Sequence, residues 1–423
     1  MIMLSSSDAN FQTAFTALVE DRRDSDEDIS RDVAFILSRV RTEGDAAVAE
    51  LTAKFDKHDL PWRISLDDAM QAYVDLDPAL RDALELAAER IRAYHLKQLP
   101  EDRDYIDDAG VRLGARWNGV DAAGVYVPGG RAAYPSSVLM NVIPARLAGV
   151  RRIVMVTPTP GGEPNPAVLA AAIIAGVNEI WRIGGAQAVG ALAYGTDTIA
   201  PVDVIVGPGN GWVAEAKRQL YGRVGIDMVA GPSEILVVAD ADNDPEWIAA
   251  DLLSQAEHDP TSQSILITND AVFADKVSAA VEVLLDGWAT ARLSWDAHGT
   301  IIIVDSLDEA PALIDRLAPE HLELAIADPD AMFAHIRHAG SVFLGRHTSE
   351  AIGDYLGGPN HVLPTGRRAR FSSGLSVTDF MKRTSFLGVT PAALAALGPA
   401  AATLADAEGL PAHAKSIRVR LKS

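Results

Sequence analysis

Over roughly the first hundred residues, apolar side chains recur at intervals of three and four with charges between them, as in DISRDVAFILSRVRTEGDAAVAELTAKF and PALRDALELAAERIRAYHLKQL. That period belongs to a helix with one buried face, and it predicts a helical segment ending at Pro100. From Val120 the texture changes. Short β-branched runs (AGVYVPGG, RRIVMVTPT, EIWRIGG, VDVIVGPGN) alternate with Ala-rich stretches (PAVLAAAIIAG, WVAEAKRQLYG). Continuously apolar strands separated by helices are what a parallel sheet covered on both faces requires. A second block of the same kind follows: SEILVVAD, PEWIAADLLSQAEH, QSILITND, KVSAAVEVLLDGW and GTIIIVDS. The pattern predicts two doubly wound α/β units. After NHVLPTGRRARFSSGLS the sheet texture stops, and from about Asp379 an Ala-rich, largely helical tail runs to Ser423. The tail has too few large apolar residues for a core of its own, so it must dock on something.

Composition narrows the function classes. A chain of 423 residues that is 48% hydrophobic can bury substantial cores, and its length favours two or more domains. A formal charge of −21, from 58 acidic against 37 basic residues, repels phosphate backbones and anionic membranes. Nucleic acid and membrane are therefore not expected partners. The stretch MIMLSSSDANFQ carries no basic region followed by an apolar one, and the run AVLAAAIIAGV is too short to span a bilayer. The expected compartment is the cytoplasm. With no cysteine, the chain has no disulfide, no thiolate zinc site and no thiol nucleophile.

Four stretches carry candidate chemistry. In NDPEWIAADLLSQAEHDP, Asp244 can cap a helix with Pro245 at its first position, and Ile248, Leu252 and Ala256 form its apolar stripe. Gln255 and His258 then sit three apart in the last turn, where an amide oxygen and an imidazole can converge on one ion, although glutamine is an uncommon metal ligand. In SEAIGDYLGGPNHVLPT, Asp354 lies in a Gly-rich region with His361 nearby, and DAEGLPAHAKS sets Glu408 and His413 around a Gly-Leu-Pro turn. Taken alone, the first and third read better as a solvated helix end and a terminal turn, and the second reads as well as an ordinary loop. In LAPEHLEL, Glu320 and His321 are two adjacent proton-handling groups between leucines; the ordinary reading is a helix N-terminus begun by Pro319.

The Gly-rich phosphate-binding candidates are YVPGGRAAYPSS, GGAQAVG and VDVIVGPGNGW. The last has a strand, a G-x-G, a following helix and an acidic residue, Asp227, about twenty positions on. It fails the dinucleotide fingerprint because Trp212 stands at the third glycine position. No P-loop, H-E-x-x-H or G-x-S-x-G occurs.

Taken in order, these segments resemble the histidinol dehydrogenase family, zinc- and NAD-dependent enzymes that complete histidine biosynthesis. GVYVPGGRAAYPSSVLMNVIPARLAGV, GGAQAVGALAYGTDTI, VDVIVGPGN, IDMVAGPSEILVVAD, SQAEHDP, APEHLEL, GDYLGGPNHVLPT and EGLPAH carry the resemblance colinearly, with no substitution at the motif positions. The resemblance implies one Zn2+ per subunit, held by Gln255, His258, Asp354 and His413. It implies substrate contacts from Ser233, His321, His361 and Glu408 as well as those ligands, NAD contacts from Tyr126, Gln187 and Asn210, and Glu320 with His321 as the acid–base pair.

The fold it implies is α/β, with two interleaved, doubly wound, incomplete Rossmann-like domains, a helical N-terminal segment and an extended helical C-terminal tail. The expected division is 1–120 with 234–315, then 121–233 with 316–370, and a dimerisation tail over 371–423. In the implied homodimer the tail brings Glu408 and His413 into the partner's site.

The implied reaction takes L-histidinol to L-histidine through the aldehyde with two NAD+ in succession. His321 would take the alcohol proton. Many aldehyde oxidations use a thiohemiacetal; without a thiol this chain must use the hydrate, with Glu320 as the natural base for adding water. Two alternatives are a relative oxidising another small polar alcohol and a non-catalytic metal- or dinucleotide-binding regulator. The Glu320–His321 pair argues against the second, since a binding protein needs no proton shuttle. A His/His/Asp/Gln set could hold Mn2+ or Co2+ as well as Zn2+.

Overall fold

The computed structural model describes residues 1–21, 27–129, 133–229 and 231–422. Two parallel sheets dominate it. The first has six strands in the order Ile2–Ser5, Thr300–Ile303, Gln263–Thr268, Glu234–Ala239, His321–Ala325, Ser341–Leu344. The second runs Arg63–Ile64, Glu179–Trp181, Arg152–Val156, Ala122–Tyr126, Val204–Val206, Gly225–Ile226, parallel except for its first strand. Their central strands read as unbroken apolar runs because both faces are covered: every residue of Glu234–Ala239, Gln263–Thr268 and Ala122–Tyr126 is buried.

These sheets divide the chain differently from the expected boundaries. Strands His321–Ala325 and Ser341–Leu344, expected to join residues 121–233, instead extend the first sheet, with Ile235 opposite His321 and His321 opposite Ser341. The N-terminal helices also change sides. Among the described residues, Phe11–Glu20 alone of these helices packs on the first sheet, through Phe11, Phe15 and Val19. Helices Glu27–Glu43 and Asp45–Phe55 bury Val33, Val40 and Leu51 against the second sheet, and Pro78–Leu96 adds Leu84 and Ile91 there. Apolar periodicity identifies such helices without specifying which core receives them.

Helix ends follow local chemistry. Ser65 and Asp77 cap the helices that follow them, and Asp244 caps Pro245–Ala256 by accepting from the Glu246 N–H at 2.9 Å, with Ile248, Leu252 and Ala256 buried as expected. The tail, expected to be largely helical, also contains a strand. It opens with a nine-residue strand, Met381–Val389, antiparallel to Val111–Gly119, which also pairs with Arg103–Ile106. Helices Pro391–Ala407 and Pro411–Arg420 then pack on each other through Ala402, Ala405 and Ala414.

Candidate metal and acid–base centre

The helix Ala310–Leu317 ends at Ala318 in the left-handed conformation (φ 49°), and Pro319 and Glu320 lead straight into the strand His321–Ala325. The helix start that Pro319 suggested is absent. The strand instead sets His321 beside the first residues of the strand Glu234–Ala239.

Two bonds to Glu234 fix the pair. The Glu234 N–H donates to Glu320 Oε2 at 3.0 Å, and His321 Nδ1 lies 3.1 Å from the Glu234 carbonyl oxygen. A carbonyl only accepts, so Nδ1 carries the proton and Nε2 keeps its lone pair. That Nε2 is buried with no hydrogen-bond partner, and it faces Glu350 Oε1 at 3.6 Å and Asp354 Oδ1 at 3.8 Å. Glu320 lies on the other edge of the ring, 3.7 Å from Nδ1.

Burial lowers the basicity of His321, and the Glu350 carboxylate opposes that shift. Glu320 is held well above the usual carboxylate range, first by burial and then by the carboxylates of Glu234, Asp354 and Glu350, against the opposing Glu234 N–H bond. Asp354 is pushed up to about 8 by burial and then by Glu350. It sits in a π-helical turn, Gly353–Gly357, continuing the short helix Glu350–Ile352. His361 donates through Nδ1 to the Asp354 carbonyl at 3.1 Å, has Ser137 Oγ 3.4 Å from its Nε2, and is pushed down to about 4 chiefly by burial. It is neutral at physiological pH. His321, Asp354 and His361 line a cavity of about 180 Å³ with Phe343 and Asn360.

Gln255 is buried in the last turn of Pro245–Ala256. Its Nε2 donates to Glu350 Oε1 at 2.6 Å, and its Oε1 is buried without a partner. His258, at the exposed end of that turn, is close enough to lower the basicity of both His321 and His361. Ser233 immediately precedes Glu234, and its carbonyl accepts from the Gln263 N–H at 2.9 Å. Glu350 escaped the sequence reading. It stands four residues before Asp354, a spacing that places two carboxylates on one helical face, and that was the available signal. Ligand atoms of His321, Glu350 and Asp354 all lie within 4.8 Å of one another. Two orphaned buried acceptors, Gln255 Oε1 and His321 Nε2, beside two carboxylates form a donor set suited to a divalent cation.

Glu408 and His413 are not brought to this group; both are exposed on the tail. Tyr126, Gln187 and Asn210 gather instead at the second sheet. Tyr126 ends the strand Ala122–Tyr126, Asn210 follows Val204–Val206, and Gln187 lies in the first turn of the helix after Glu179–Trp181. These are carboxyl ends of parallel strands, and the strand order reverses at Ala122–Tyr126, where open α/β sheets bind ligands.

Asn210 caps the helix Gly211–Leu220, accepting from the N–H groups of Trp212 and Val213, and Tyr126 Oη accepts from the Gly185 N–H at 3.1 Å. Gly207 is required in the same turn: its φ is +109°, and a Cβ there would meet the Tyr126 carbonyl oxygen at 2.1 Å. Asp227, the acidic residue of the partial fingerprint, is committed elsewhere. It pairs with buried Lys217 and accepts from the Gly207 N–H at 2.8 Å, while Lys217 Nζ donates to the Gly207 carbonyl at 3.0 Å. In YVPGGRAAYPSS, residues 130–132 lie outside the described residues.

The chain matches the family described as histidinol dehydrogenase over residues 19–421. It is 66% identical over 427 residues to a histidinol dehydrogenase of Zymomonas mobilis, covering 100% of this chain and 99% of that one. It is 60% identical to that of Rhodospirillum rubrum, covering 99% and 98% of the two chains. Its fold is similar to the crystal structure of histidinol dehydrogenase from Elizabethkingia anophelis, with a TM-score of 0.94, 37% identity, and coverage of 100% and 98%.

Proposed function

This chain belongs to the histidinol dehydrogenase family and oxidises histidinol in histidine biosynthesis, and we propose that it does so with NAD, one bound zinc ion and the Glu320–His321 pair. The zinc would be held by Gln255, His258 and Asp354, with His413 supplied by a second copy of the chain. Bound metal would orient the substrate, and the nicotinamide would accept hydride.

The residues do the proton work. Burial favours the neutral form of His321 and the Glu234 carbonyl fixes its tautomer, so Nε2 can accept the proton of the alcohol hydroxyl while the ring stays in place. His361, also neutral and anchored on the Asp354 carbonyl, presents Nε2 as a further contact for the substrate. The second oxidation passes through the aldehyde hydrate. Glu320 takes a proton from the water that adds, and His321 gives the proton it took from the alcohol to the aldehyde oxygen to complete the hydrate. His321, neutral again, then takes one from the gem-diol as the second hydride leaves. Ser233 and the tail residue Glu408 would complete the substrate contacts, and Tyr126, Gln187 and Asn210 would line the NAD crevice.

The tail supports a dimer. Leu387 and Leu404 are 67% and 66% exposed, apolar surface that a second copy of the chain would cover.

The observation that carries this reading is the partnerless, buried Nε2 of His321 aimed into an acidic group. The test is reduction of NAD by the purified protein with a panel of alcohols. The expected result is two NADH per L-histidinol, abolished by a chelator. A preferred alcohol other than histidinol, or one NADH per turnover, would overturn it.

A further inference from the structure

Glu350 has no role in the chemistry above, yet it is 1% exposed and packed against the centre of the site. Its Oε1 accepts from Gln255 Nε2 at 2.6 Å, and its Oε2 lies 2.9 Å from Ser254 Oγ. A carboxylate has no donor, so the amide end of Gln255 that meets Glu350 must be its NH2. The carbonyl end is thereby turned the other way, where it is buried without a partner. Glutamine can ligate a metal only through that oxygen. A free side-chain amide turns over easily, and its NH2 would repel a cation.

We propose that Glu350 is a positioning residue that locks the Gln255 amide with its oxygen toward the metal. The proposal rests on the metal reading given above. It explains why an uncommon ligand type is usable here: its ambiguity is removed by a buried, charge-assisted hydrogen bond.

The test measures Zn2+ affinity by chelator competition and melting temperature in wild type, Glu350→Leu, Glu350→Gln, Gln255→Glu and the double variant Q255E/E350L. Leucine removes the acceptor, so Zn2+ binding is expected to weaken by roughly 10- to 100-fold, the usual cost of losing such support. Glutamine at 350 keeps one neutral acceptor but can also present its own NH2, so E350Q should fall between wild type and E350L. Glutamate at 255 has two equivalent oxygens and nothing to orient. On that background the loss of Glu350 should cost far less, and Q255E/E350L should bind Zn2+ more tightly than E350L. With Co2+ at saturation, E350L and E350Q should show the wild-type visible spectrum, because the ligands are unchanged.

Wild-type affinity in E350L, or no recovery in Q255E/E350L, would overturn the lock. A changed Co2+ spectrum would overturn it too, making Glu350 a ligand. Should E350L fail to fold, E350Q binding Zn2+ as tightly as wild type would do the same. A wild-type protein that binds no Zn2+ would remove the metal reading and this proposal together.

Discussion

Gln255 Nε2 meets Glu350 Oε1 at 2.6 Å, and this one bond ties the last turn of the helix Pro245–Ala256 to the short helix that leads to Asp354. Two ligand candidates far apart in sequence are thereby held in one group. Ligands to one ion fail together, so Gln255→Ala, His258→Ala and Asp354→Ala should each lose bound metal while still melting cooperatively. Metal content after gel filtration checks this. A variant that keeps stoichiometric metal and normal turnover removes that residue from the site.

Behind the site, burial and then the neighbouring Asp251 push Glu323 up to about 10. Its side chain is therefore protonated at neutral pH in the folded protein and ionised in the unfolded chain, whose glutamates titrate near ~4.3. The folded state binds more protons between these values. The associated stability is fully present below the unfolded value and is lost as pH rises through the folded one. Glu323→Gln, which cannot ionise, should melt with wild type at pH ~4 and progressively above it as pH rises from ~5 to ~9. Parallel melting curves across that range would show that Glu323 carries no such linkage.

His413 and Glu408 are exposed on the tail, away from the His321–Glu350–Asp354 group. If His413 completes the site of a second copy, His258→Ala and His413→Ala damage contributions from different chains to one site. A mixed dimer then has one doubly damaged site and one intact site. Unfolding and refolding equal amounts together makes about half the dimers mixed, so about a quarter of all sites regain activity. Neither variant alone should be active. No recovery, with mixed dimers verified by differential tags, would mean that the tail does not exchange.

Much of the architecture is legible in local pattern. The runs SEILVVAD and QSILITND contain the wholly buried parallel strands Glu234–Ala239 and Gln263–Thr268, and Asp244-Pro245 starts a helix where the capping chemistry says it should. What local pattern misreads is decided by distant partners. Pro319 can open a helix, but pairing with Glu234–Ala239 on one side and Ser341–Leu344 on the other makes the following residues a strand. Met381–Val389 falls in the stretch that reads as a largely helical tail, and it is its register against Val111–Gly119 that makes it a strand. Glu350 is one acid among 58 in the sequence, marked there only by its four-residue spacing to Asp354, and its contact with Gln255 is what gives it a place in the site. The tautomer of His321, on which the proton transfer depends, is set by the carbonyl of Glu234, 87 residues away.

That tautomer leads to the most direct measurement. Single-turnover hydride transfer should be followed from histidinol and, separately, from supplied histidinal in wild type, Glu320→Gln and His321→Asn. Loss of the base at His321 should slow both half-reactions, each by roughly 100- to 10,000-fold. Loss of the Glu320 carboxylate should slow oxidation of histidinal more than oxidation of histidinol, because only the aldehyde needs an added water. Near-wild-type rates for His321→Asn in either half-reaction, or equal damage to both in Glu320→Gln, would contradict the assignment.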